Sequence, residues 1–197
     1  MQSALPSSGL VQSSPRPITE TFTGRIVLAF AATVFVALCS RISVPLPFTP
    51  VPLTLQNFAV LLVGLALGPV AGFTAMVLYL VEGAVGMPVF NPHGPGGILQ
   101  LFGPTGGFLL SYPFAAAAAG WTARSLRMRS QYVRAAIACT VATIVIFALG
   151  AVWFSQFLHL GASAVWRMAA APFLPGEIVK IAAAAGIYNS ISRWRRA

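Results

Sequence analysis

Acidic residues are nearly missing from this chain. Glu20, Glu82 and Glu177 are the only three among 197 residues, and there is no aspartate. No set of His, Cys or acidic residues falls at catalytic or metal-ligand spacing, so the sequence reads as neither an enzyme nor a metalloprotein. The two cysteines, Cys39 and Cys139, lie inside apolar segments with no CxxC spacing, which suits buried small hydrophobes. No GKS or GKT follows a glycine-rich run, so a nucleotide-binding loop is absent and no cofactor is expected. Charge of either sign is scarce: 8% of residues are charged, against about 25% in soluble domains. With 57% hydrophobic residues and a mean hydropathy of +0.83, the composition excludes a soluble domain and points to the lipid bilayer. The net charge of +9 would suit nucleic acid, but the basic residues form no single soluble face, and no such partner is expected.

Residues 1–24 are rich in Ser and Pro and lack a continuous apolar core. They read as a disordered cytoplasmic tail and not as a secretory signal peptide. Residues 25–197 read as one transmembrane domain. Six apolar segments run from Arg25 to Ser43, Thr54 to Gly68, Pro69 to Gly86, Thr105 to Arg124, Val133 to Phe154 and Phe173 to Trp194. A hydrocarbon core of about 30 Å needs roughly 20 helical residues; the second segment is short, and Gly68-Pro69 predicts a tight turn after it. With both termini inside, nine basic residues flank the inner ends: Arg16, Arg25, Arg124, Arg127, Arg129, Arg134, Arg193, Arg195 and Arg196. Arg41 and Arg167 fall outside, and Lys180 lies within a span. The expected fold is thus an all-α bundle of six transmembrane helices in the cell membrane, with both termini cytoplasmic. Trp121 and Trp194 fall at inner ends and Trp153 and Trp166 at outer ones, as an aromatic belt predicts.

That orientation gives the rare polar residues a depth. Glu177 and Lys180 are three apart on one helix face, one to two turns below the outer surface. A charge near the bilayer centre costs roughly 2.5–3.5 kcal/mol. Such a pair suits a binding site; the plainer reading is a self-neutralising pair that locks two helices together. Glu82, Gln56 and Asn57 fall at a similar depth, while the inner halves of the helices have almost no polar groups. A channel or pump needs polar groups along its whole path, so a pocket open only to the outside fits better. The loop VPLPFTPVP carries Pro45, Pro47, Pro50 and Pro52, a stiff extended segment that is either a lid or a rigid connector. The loop MPVFNPHGPGGILQLFGPTGG is rich in glycine, which allows close backbone approach to a ligand. His93 and His159 read as solvent-facing loop residues.

Three runs then carry a resemblance: PVPLTLQ (Pro50 to Gln56), GMPVFNPHGPGGILQLFGPTGGFLLSYP (Gly86 to Pro113) and PFLPGEIVK (Pro172 to Lys180). Together, and in this order, they resemble the BioY family, the biotin-binding S subunits of energy-coupling factor (ECF) transporters. The resemblance covers the chain from about Arg25 onward. It implies capture of biotin in an outward-facing pocket, then association with a transmembrane coupling protein and two ABC ATPases that supply energy. It places Glu177 and Lys180 as polar contacts to biotin, Asn91, Gly94, Gly96 and Gly97 on the pocket-lining loop, and Phe48 and Thr49 on the lid. Glu82 is a further candidate contact. Glu177 departs from the family, which usually has Asp there, and the extra methylene moves the carboxylate by about 1.5 Å.

Biotin's chemistry suits these residue types. Its ureido N–H groups can donate to a glutamate, and its carbonyl or its valerate carboxylate can accept from a lysine. Phe48, Tyr79, Phe90 and Tyr112 are candidate walls for the thioether ring, although each could serve only in packing. S subunits dock through small residues on the first helix. Ala29, Thr33 and Ala37 recur in steps of four, which suits either docking or packing within the subunit. The alternatives are an S subunit for another vitamin, such as thiamine or riboflavin, and an intramembrane enzyme using Glu82, Glu177 and His93.

Overall fold

Residues 22–194 are described by a computed structural model; the expected N-terminal tail lies almost wholly outside them. Helix α1 (Phe22–Arg41) leads into a hairpin of β1 (Ser43–Leu46) and β2 (Thr49–Thr54), followed by α2 (Gln56–Leu67) and α3 (Pro69–Ala84). Short helices α4 (Gly97–Leu101) and α5 (Gly106–Leu110) precede α6 (Tyr112–Ser125), α7 (Gln131–Leu158), α8 (Ala162–Val165) and α9 (Leu174–Trp194). Between α8 and α9 the chain winds as one π turn (Trp166–Ala170) and one 3-10 turn (Ala171–Phe173). Pro172 and Pro175 lack the N–H groups that a regular helix needs there.

Among the described residues, three stretches are long and apolar enough to cross a bilayer: Thr23–Arg41, Gln131–Leu158 and Ala162–Trp194. Helices α2 and α3 are apolar but shorter. The Gly68-Pro69 turn occurs as expected. Gly68 has φ 83°, a left-handed conformation open to glycine, and Pro69 starts α3. Helices α2, α3 and α6 pack closely through small residues. A Cβ on Gly64 would sit 2.5 Å from the Ala116 carbonyl oxygen, and one on Gly120 would sit 2.4 Å from the Gly68 carbonyl carbon.

The all-α expectation needs correction in one place. The proline-rich segment after α1 is an antiparallel hairpin, with Ser43 opposite Thr54, Val44 opposite Leu53 and Leu46 opposite Thr49. The register slips between Val44 and Leu46, which is where Pro45 stands. Proline cannot donate to a ladder and is tolerated at bulges and on edge strands; in a two-stranded sheet both strands are edges. A second difference lies in the segment from Thr105 to Arg124, which breaks at Ser111 into α5 and α6. Of the expected tryptophan belt, Trp121, Trp166 and Trp194 are exposed. Trp153 turns inward, donating from Nε1 to the Gly103 carbonyl at 2.9 Å.

Candidate functional site

One end of the bundle gathers five polar side chains from three helices. The first turn of α2 supplies Gln56 and Asn57, α6 opens with Tyr112, and the first two turns of α9 supply Glu177 and Lys180. Lys180 Nζ lies 2.7 Å from Glu177 Oε1, and both residues are buried. The i,i+3 spacing sets them on one helix face, as expected. Asn57 donates from Nδ2 to the same oxygen at 3.3 Å, and its own Oδ1 accepts from the Tyr112 hydroxyl at 2.9 Å. Glu177 Oε1 is thus doubly satisfied. Its other oxygen, Oε2, is buried with no hydrogen-bond partner among the described residues.

These groups face a small cavity. Val51, Pro52 and Thr54 of β2 cover it on one side and Asn91 of the α3–α4 loop on another. Apolar walls come from Phe108, Phe147 and Phe173. The space amounts to about 40 Å³, whereas small-molecule pockets usually hold about 300–1,000 Å³. The hairpin and the loop lie over the polar groups.

A second polar layer ties this loop to α1 and α3. The Val89 carbonyl accepts from Ser40 Oγ at 2.8 Å and from the Tyr79 hydroxyl at 2.8 Å. Tyr79 in turn accepts from Gln56 Nε2 at 2.6 Å, and Arg41 donates to the Pro88 carbonyl. The Tyr79 and Phe90 rings meet edge to face, with centroids 5.5 Å apart.

The expected site residues therefore separate into groups. Glu177, Lys180, Asn91 and Tyr112 come together at the cavity. Tyr79 and Phe90 are buried supports behind the loop and do not line it. Gly94, Gly96 and Gly97 line a different cleft beside Arg41. Gly96 and Gly97 have φ 69° and 59° there, a left-handed path suited to glycine. Thr49 is buried, with Oγ1 accepting from the Val51 amide, while Phe48 at the hairpin tip is exposed. Glu82 does not line the cavity. It accepts from Thr33 Oγ1 at 3.1 Å, between α1 and α3. Thr33 is therefore buried in this chain's own packing, with Ala29 and Ala37 half-buried beside it. The outward face of α1 is Val27, Phe30, Val34 and Leu38. Neither Glu82 nor His93 joins Glu177 at the cavity, so the acid–base set of the enzyme alternative is not assembled. Asn57, which links Tyr112 to Glu177, is missing from the expected set. Its only sequence signal is its depth beside Gln56.

A helical membrane protein with a buried, polar, loop-covered cavity at one end is a solute-binding subunit in outline. The profile of the BioY family matches residues 10–197, and the chain belongs to that family. It is 38% identical over 153 residues to the "Probable biotin transporter BioY" of Pyrococcus horikoshii, covering 76% of this chain and 86% of that one. It is 33% identical over 178 residues to the "Biotin transporter BioY" of Rhodobacter capsulatus, covering 86% and 93%. Among solved structures, the S-component for biotin from an ECF-type ABC transporter matches with a TM-score of 0.79 at 23% identity, over 87% of this chain and 92% of that one. The fold is shared with that subunit.

Proposed function

We propose that this chain takes up biotin, capturing it at the outer face of the cell membrane as the S component of an ECF transporter. The observation that carries the site is Glu177 Oε2. A buried carboxylate oxygen with no donor among the described residues, beside an ammonium held at 2.7 Å, faces a cavity that has aromatic walls. The ureido N–H groups of biotin are donors for that oxygen, and its bicyclic ring suits Phe108, Phe147 and Phe173. Asn91 offers further amide hydrogen bonds from the loop. A transmembrane coupling protein and two ABC ATPases supply the energy.

In this reading the bundle crosses the membrane six times with both termini inside, α5 and α6 forming one crossing. Helix α2, with 12 residues, spans only about 18 Å at 1.5 Å per residue, so it depends on its neighbours to complete its crossing. The cavity then opens outward beneath the hairpin. With about 40 Å³ enclosed, biotin enters only when the hairpin and the 85–96 loop lift. Association is therefore slower than diffusion allows.

Calorimetric titration of biotin into the purified, detergent-solubilised chain tests this, with thiamine and riboflavin run alongside. One-to-one binding of biotin alone is expected. A response to another vitamin would keep the architecture and overturn the substrate. Lys180→Ala leaves Glu177 as an unpaired buried carboxylate, an arrangement that is strongly disfavoured. It is expected to weaken biotin binding by about tenfold or more. Unchanged affinity in a folded variant would move the site elsewhere.

A further inference from the structure

A cleft beside Arg41 adjoins the Glu177 cavity. It encloses about 410 Å³ between Arg41, at the end of α1, and the loop that includes Pro88, Asn91, Gly94 and Gly96, with Gly97 at the start of α4. Asn91 lines both this cleft and the Glu177 cavity, so the two are adjacent compartments sharing one side chain. Arg41 donates to the Pro88 carbonyl, and its side chain is exposed. A guanidinium has five N–H donors, so this single bond leaves it able to bind an anion.

The charge balance of the inner cavity decides which end of a ligand belongs where. Lys180 is its one cation among the lining residues and is already bound to Glu177. Bringing a ligand carboxylate to that pair would bury two carboxylates against one ammonium, which is unfavourable where water is excluded. A neutral hydrogen-bonding ring suits the inner cavity. A carboxylate suits the outer cleft, where Arg41 offers bidentate geometry. We propose that the Arg41 cleft is a carboxylate subsite, holding the anionic tail of the ligand while its neutral ring occupies the Glu177 cavity. This inference rests on the biotin reading and adds a residue that recognises charge.

The test compares biotin with biotinamide, which keeps the ring and tail but has no charge. Both are titrated into the detergent-solubilised chain and into its Arg41→Gln and Arg41→Lys variants. Arg41→Gln is expected to weaken biotin by about fivefold to tenfold, to leave biotinamide within twofold of wild type, and to be partly rescued by Arg41→Lys. Equal losses for both ligands would reduce Arg41 to a support for the loop and overturn the subsite. No loss for either would overturn it as well. Should Arg41→Gln lower the melting temperature, the wild-type chain decides the matter. Biotin binding should weaken between about 0.05 and 0.5 M salt while biotinamide binding does not; parallel curves would overturn the proposal. Failure of the wild-type chain to bind either ligand would instead refute the biotin reading itself.

Discussion

Asn57 is the residue on which the polar site turns. It donates to Glu177 and accepts from Tyr112, so it orients the carboxylate that Lys180 neutralises. Asn57→Ala removes both bonds at once, and a buried polar group left unsatisfied costs about 1–3 kcal/mol. Biotin affinity is expected to fall by between about fivefold and a hundredfold, measured by calorimetry. The Tyr112→Phe variant breaks only the outer bond and should lose less. Equal affinities for Asn57→Ala and wild type would detach this network from the ligand. The depth of Asn57 is legible in the sequence, because α2 begins there. Its partner is not, since Glu177 is 120 positions away and only the packing of α9 on α2 brings them together. Tyr79 shows the opposite case: an aromatic at suitable depth reads as a pocket wall, yet its hydroxyl is spent on Gln56 and the Val89 carbonyl.

At the scale of elements, the site is only as firm as the contact between α2 and α6, which carry Asn57 and Tyr112. That contact runs through glycine. A side chain at Gly120 would meet the backbone of Gly68 and Pro69 at 2.4 to 2.7 Å, with no flexible side chain to give way. Gly120→Leu therefore forces α6 away from the α2–α3 turn. Overpacking of this kind typically costs about 1–3 kcal/mol. The melting temperature in detergent should drop, with biotin affinity falling alongside. Gly161→Ala is a control, because nothing lies within 4 Å of the position where its Cβ would stand. Helix boundaries such as Gly68-Pro69 are readable from sequence, since glycine and proline act locally there. The hairpin is not. Four prolines in nine residues resemble an extended connector, and pairing of Val44 with Leu53 depends on a turn and a slip in register that periodicity does not encode. The π and 3-10 turns before α9 likewise follow from Pro172 and Pro175 acting on a continuous helical path, and the sequence reading starts the last helix only at Phe173.

For the whole molecule, the functional question is which end of the bundle faces outward. Hydropathy locates apolar helices but is blind to direction, which the nine basic residues against two favour as both termini inside. Both the Glu177 cavity and the Arg41 cleft lie at the end carrying the fewer basic flanks, which for a capture subunit should be the outer one. Cysteine accessibility in intact cells checks this. Cys139 is buried and Cys39 half-buried, so both are first replaced by alanine to give a silent background. Ser163, beyond α7, and Met128, between α6 and α7, are exposed and lie toward opposite ends of α7. Ser163→Cys should react with a membrane-impermeant maleimide in intact cells. Met128→Cys should react only after permeabilisation. The reverse pattern would place the cavity on the cytoplasmic side, where a pocket lined by Glu177 and Lys180 would release a solute and could not capture one from outside.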